Sequence, residues 1–112
     1  MKRIQGTWLG NSLEENGVKR PAKVVIRLVF QGDTVKMKKE DEEEAGTFHL
    51  DPTQKPKAVD LVMGGQRIPG IYTLEADRLT ICLDTKKNGK RPTRFATDAK
   101  TAGLRLMTLK RQ

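Results

Sequence analysis

His49 and Cys82 are the only imidazole and the only thiol in the chain, so nucleophilic chemistry of the cysteine–histidine kind would have to run through this pair. Nothing around either residue supports that use. His49 falls on the polar side of an alternating stretch, Cys82 falls among apolar neighbours, and no motif orients a base against a nucleophile. A lone cysteine also excludes an internal disulfide and a zinc site of several thiolates. His-x-His and His-Glu-x-x-His spacings do not occur, nor does a pairing of carboxylates suited to hydrolysis. The acidic run Glu40-Asp41-Glu42-Glu43-Glu44 lacks the alternating ligands and central glycine of a calcium loop. It reads as a solvated hairpin tip that keeps adjoining strands from pairing with other chains. No catalytic residue, metal or cofactor is expected, and the chain reads as a non-enzymatic protein.

The remaining residues with something to bind are basic. Lys86, Lys87, Lys90, Arg91 and Arg94 occupy one polar segment with no acid among them. Five phosphate contacts on a duplex would make affinity fall with salt at a log–log slope of about −4 to −5. Aromatic platforms for stacked bases are scarce, because Trp8, Phe30, Phe48, Tyr72 and Phe95 complete the set and most of them read inward. The formal charge is +8, with twelve Lys or Arg against five acids in residues 57–112 and ten against nine before that. By sequence the positive field therefore belongs to the second half, and it favours acidic proteins and nucleic acid alike.

The elements that must position these residues are strands. Apolar alternation recurs about every eight to twelve residues between Gly, Asp, Asn and Pro signals, the spacing of an all-β sandwich or barrel. Strands are expected over 6–12, 24–30, 34–40, 46–50, 59–63, 68–75, 78–83 and 104–110, with a short extra one at Arg94-Phe95-Ala96. Asn16-Gly17, Gln31-Gly32-Asp33, Gly64-Gly65 and Ala76-Asp77 supply the turns, and the two prolines of Asp51–Pro56 make a stiff connection. One face of the second strand reads Val24, Ile26, Leu28, Phe30, and Leu79, Ile81 and Leu83 share a face opposite Thr80 and Cys82.

Gly6-Thr7-Trp8 opens the first strand. In order behind it come Leu50-Asp51-Pro52-Thr53, Lys55-Pro56-Lys57-Ala58-Val59-Asp60-Leu61, Gly70-Ile71-Tyr72-Thr73-Leu74, Ile81-Cys82-Leu83, Arg91-Pro92-Thr93-Arg94-Phe95 and Leu109-Lys110-Arg111. This series resembles the small lipocalin-like (calycin-type) domain family abundant in planctomycete-type bacteria. The resemblance implies an all-β, small antiparallel up-and-down β-barrel of about eight strands, with an indole across the barrel base and a basic residue of the last strand packed over it. Arg105, Lys110 and Arg111 are the choices for that partner. The family brings no activity or ligand with it.

Residues 1–112 therefore read as one lipocalin-like barrel whose leading role is to bind a small apolar or amphipathic ligand. The expected ligand-facing residues are Trp8, Ile26, Leu28, Phe30, Phe48, Leu61, Tyr72 and Arg105. Short strands argue for an interior mostly filled by side chains, and enlarging Ala58 or Gly46 is expected to fill what space remains. The alternative role is docking of an acidic protein or nucleic acid through the basic segment 86–94. No apolar stretch is long enough to span a membrane as a helix. Because Met1–Gln5 leads directly into a strand, a cytoplasmic location is expected, a leader already removed being the other possibility. A closed barrel makes a monomer the default, and a gap beside Arg94–Ala96 would be the place for dimer pairing.

Overall fold

The computed structural model of the chain describes residues 4–15, 18–39, 42–86, 89–97 and 103–112. Eight strands run β1 (Gly6–Glu15), β2 (Val18–Gln31), β3 (Thr34–Lys39), β4 (Glu42–Asp51), β5 (Ala58–Met63), β6 (Gln66–Glu75), β7 (Arg78–Asp84) and β8 (Leu104–Arg111). Each pairs antiparallel with its successor and β8 pairs with β1, closing an up-and-down barrel. Tight turns permit this order. Gly64 and Gly65 take φ angles of 60° and 77°, the left-handed pair that a two-residue hairpin requires.

Alternation along the strands separates inside from outside. Trp8, Leu28, Phe30, Val35, Phe48, Leu61, Leu79, Ile81 and Leu109 are all buried in one apolar cluster, while Arg27, Lys36, Lys38, Thr47, His49 and Lys110 are exposed. Phe30 and Phe48 meet edge to face at 4.9 Å, the arrangement their ring quadrupoles favour.

Five expectations are corrected. β1 runs on to Glu15, and β2 is longer than the sequence pattern suggests because Arg20-Pro21 lies within it rather than ahead of it. Pro21 is opposite Ser12, next to a register shift between Gly10 and Ser12, and irregular pairing is where a strand tolerates a residue without an amide hydrogen. Arg94–Ala96 forms no strand; β8 reaches β1 directly, so there is no gap beside it for dimer pairing. With ten residues in each of β1, β4 and β6 and fourteen in β2, the barrel is deeper than short strands would make it. Ala58 does not face the interior, and a Cβ at inward Gly46 would drive into the Val62 carbonyl. Neither position fills the barrel. Glu42, Glu43 and Glu44, expected in the hairpin tip, belong instead to β4 and pair with Lys39, Lys38 and Met37, while the Asn16-Gly17 turn and Glu40-Asp41 lie outside the described residues.

A second layer covers part of the outer wall. Register places Ala58, Ile71, Cys82, Leu106 and Glu14 side by side across five neighbouring strands. Ala58, Ile71 and Cys82 are nevertheless buried. The segment 89–97 crosses this row like a strap. At one end Arg91 donates from Nη1 to the carbonyls of Val59 (3.2 Å) and Gly70 (2.9 Å) and from Nη2 to Asp60 Oδ1 (2.9 Å). At the other end Thr97 donates its amide (3.1 Å) and hydroxyl (2.8 Å) to Glu14 Oε2. Between them the Ala96 backbone lies near the Cys82 thiol, where its polarity acts to lower the thiol's pKa against the effect of burial.

Candidate functional site: a barrel sealed at one end and open at the other

The end formed by the start of β1, the β2–β3 turn and the end of β8 is closed. Ile4 and Trp8 are both 0% exposed, and the indole Nε1 donates to the Ile4 carbonyl at 2.8 Å. The Arg111 guanidinium lies 4.2 Å over the indole ring and donates from Nη1 to the Gln5 carbonyl at 2.8 Å. Gln5 completes the seal by exchanging two hydrogen bonds with the Gly32 backbone, at 2.9 and 2.7 Å. A cation over an aromatic face is attractive even where the guanidinium is exposed, so this end is a structural plug. Of the three basic residues considered as the partner of Trp8, Arg111 holds the place.

The opposite end contains a cavity of about 370 Å³, within the size range of small-molecule sites. Its apolar wall is Ile26, Met37, Met63, Ile68, Leu83 and Met107; Glu42, Glu44, Gln66, Thr85 and Arg105 supply polar groups. Gln66 is fixed there by donating from Nε2 to the Thr85 carbonyl at 2.9 Å. All three methionines beyond Met1 meet at this cavity. Thioether side chains are unbranched and polarisable and adapt to ligands of irregular shape.

Of the residues expected to face a ligand, Ile26 and Arg105 line this cavity. Trp8, Leu28, Phe30, Phe48, Leu61 and Tyr72 are buried in the barrel's packed part instead. They fill the lower barrel because long inward side chains converge on its sealed end. Tyr72 is buried enough that desolvation, with a smaller contribution from the Asp51 charge, raises its hydroxyl pKa. The methionines were missed because each sits singly in its strand. A usable signal existed: Met37, Met63 and Met107 are all inward positions toward the same barrel end, once alternate hairpins are counted.

The basic segment is tied into the fold. Asp84, only 3% exposed, accepts the amides of Lys86 and Lys90 at 3.0 Å each. A Cβ at Gly89 would meet its carboxyl carbon at 2.5 Å, so glycine lets the segment curl around Asp84. Lys86 Nζ is 3.9 Å from the same carboxylate. Arg91 is committed to Val59, Asp60 and Gly70 as described. Lys86, Lys90 and Arg94 are exposed, whereas Lys87 lies outside the described residues.

His49 is exposed on β4 and Cys82 is buried on β7, so three strand spacings, about 14 Å, separate their backbones. Burial is the leading reason that the Cys82 thiol pKa is raised, which suppresses the thiolate that would act as nucleophile. Iodoacetamide should therefore label Cys82 only at the rate at which the strap opens or the protein unfolds. Native-state labelling as fast as that of a free thiol would show the strap to be loose. Among the described residues no group of three His, Cys, Asp or Glu is placed to hold a metal ion, and no helix is long and apolar enough to cross a membrane.

A closed eight-stranded up-and-down barrel with one plugged end and one open, methionine-lined cavity is the class that fold and site define. Comparison with protein-family models, curated proteins and solved structures returns no match.

Proposed function

We propose that the protein is a lipocalin-like, non-enzymatic binding module that takes one small amphipathic molecule into the open end of its barrel. The cavity itself carries this reading: an apolar wall with three methionines beneath a mouth bearing two carboxylates, an amide, a hydroxyl and a guanidinium. The apolar part of the ligand would lie on Ile26, Met37, Met63, Ile68, Leu83 and Met107, and its polar part would face Glu42, Glu44, Gln66, Thr85 and Arg105. Burial of apolar surface supplies the affinity, at roughly 25 cal/mol per Å² before the costs of association. The polar mouth sets orientation.

Native mass spectrometry of freshly purified protein, compared with the denatured mass, tests this directly. Added mass that disappears on denaturation supports the reading and leads to the ligand. Ile68→Trp, which places an indole in the wall of the cavity near its mouth, should abolish the added mass while leaving the melting temperature nearly unchanged. Retention of the ligand by this variant would place it elsewhere. Binding driven by the apolar wall should also persist at about 1 M salt, where electrostatic screening acts over only about 3 Å.

A further inference from the structure

Barrel closure sorts charge in a way the chain order conceals. β1, β2, β3 and β8 are contiguous in the barrel. Together they hold ten Lys or Arg against two acids, Glu14 and Glu15. The other four strands hold two Lys or Arg against seven acids. Among the strand residues the excess of positive charge therefore lies on one side of the barrel.

From the edge of β7 across that side the register assembles a single row. Arg78 is opposite Lys110, Lys110 opposite Leu9, Leu9 opposite Arg27, and Arg27 opposite Lys38. Arg78, Lys110, Arg27 and Lys38 are all exposed, with Lys36 exposed beside Lys38 on the same face. Among the described residues none of the four cations forms an ion pair. With strands about 4.8 Å apart the row runs about 19 Å along the surface. It crosses β7, β8, β1, β2 and β3, five of eight strands, and so bends around about half of the barrel. Glu75 and Glu43 stand at its two ends.

We infer that this row is a binding track for single-stranded nucleic acid, held through its phosphates. Its curvature selects the partner. A duplex is stiff over about 50 nm and a lipid surface is flat, so either would touch the row only where it bulges outward. A single strand bends with the wall. Guanidinium and ammonium groups both suit phosphate oxygens. A protein partner, by contrast, needs an apolar centre to its interface. The exposed large hydrophobic among the described residues, Val62, is on β5, outside the row. With no exposed aromatic along the track, bases are not read, and binding should not depend on sequence.

The test is fluorescence anisotropy of fluorescein-labelled oligothymidylate across a salt series, with the intact chain. Four phosphate contacts on a single strand predict a log–log slope of about −2.8, and each of Arg27→Gln, Lys38→Gln and Lys110→Gln should reduce it by about 0.7. The triple variant should retain a slope of about −0.7. Arg27→Lys should keep the slope, and Lys90→Gln with Arg94→Gln should leave it unchanged. Circular dichroism confirms folding of each variant, and the single variants decide the matter if the triple fails to fold. The inference is overturned by absence of binding at about 50 mM salt, the low end of the range over which such contacts are read. It is equally overturned by a slope that the row variants do not alter, or by tighter binding of a duplex, of polyglutamate or of phosphatidylserine vesicles. Filling the cavity with Ile68→Trp should have no effect, which separates this surface from the ligand site.

Discussion

Trp8→Ala should destabilise the protein by about 3–5 kcal/mol, the usual result of truncating a buried aromatic. The indole is fully buried, and its removal acts on three things at once. It leaves a void at the sealed end of the barrel, orphans the Ile4 carbonyl that accepts the Nε1 hydrogen, and removes the ring beneath Arg111. For a domain of this size the loss corresponds to a melting temperature lower by upwards of about 12 °C. Urea denaturation measures it, and an unchanged midpoint would refute the plug. Trp8→Phe separates the contributions: it keeps a ring for Arg111 but leaves the Ile4 carbonyl unpaired, so it should cost distinctly less than alanine. Because Trp8 does not line the open cavity, Trp8→Phe should retain any ligand bound there. A gate would behave in the opposite way.

The barrel was legible because its information is local. Alternation in β3, β5 and β7 and the glycine turns between hairpins are visible without knowing what lies across the wall, and each hairpin fixes the direction of the next strand. What lay hidden depends on which residues become neighbours around the barrel. Cys82 reads as an ordinary strand position and Ala58 as a place to fill the interior, yet both are buried on the outer face because residues far along the chain cover them. Arg94–Ala96 resembles a strand by composition, but the wall is complete without it and its backbone lies across the strands. Arg105 and Arg111 are equally plausible partners for Trp8 in sequence; six residues of β8 separate sealed end from open mouth, and only the register against β1 assigns them.

The same limit explains the two surfaces that chain order conceals. The basic run 86–94 is conspicuous as a sequence and much of it is engaged by Asp84 and Asp60. The cations at 27, 38, 78 and 110 are dispersed in the sequence and stand in one row. Methionines at 37, 63 and 107 are likewise single in their strands and shared in space. In a closed antiparallel barrel the hydrogen-bond register determines which side chains act together, and compositional clusters are a poor guide to it.

Arg91→Ala should cost about 2–3 kcal/mol, although Arg91 lies in the segment that composition marks as a binding loop. Its guanidinium bonds two main-chain carbonyls, of Val59 and Gly70, and the Asp60 carboxylate. Hydrogen bonds involving a charged group contribute roughly 1.5–3 kcal/mol, and removing one partner leaves the others unsatisfied. Asp60 keeps a second partner in Arg67 at 3.1 Å, which limits the loss. Arg91→Lys should recover less than half of it, since one ammonium cannot reproduce a planar fork aimed at three oxygens. The strap makes the effect local as well as global. With its Arg91 anchor gone, the strap should open without unfolding of the barrel, and Cys82 beneath it should become reactive to iodoacetamide in the native state. Trp8→Ala provides the contrast, because there Cys82 labelling should rise only as far as global stability falls. If Arg91→Ala leaves both the denaturation midpoint and native-state labelling at wild-type values, Arg91 is a surface residue and the strap is held by its other end.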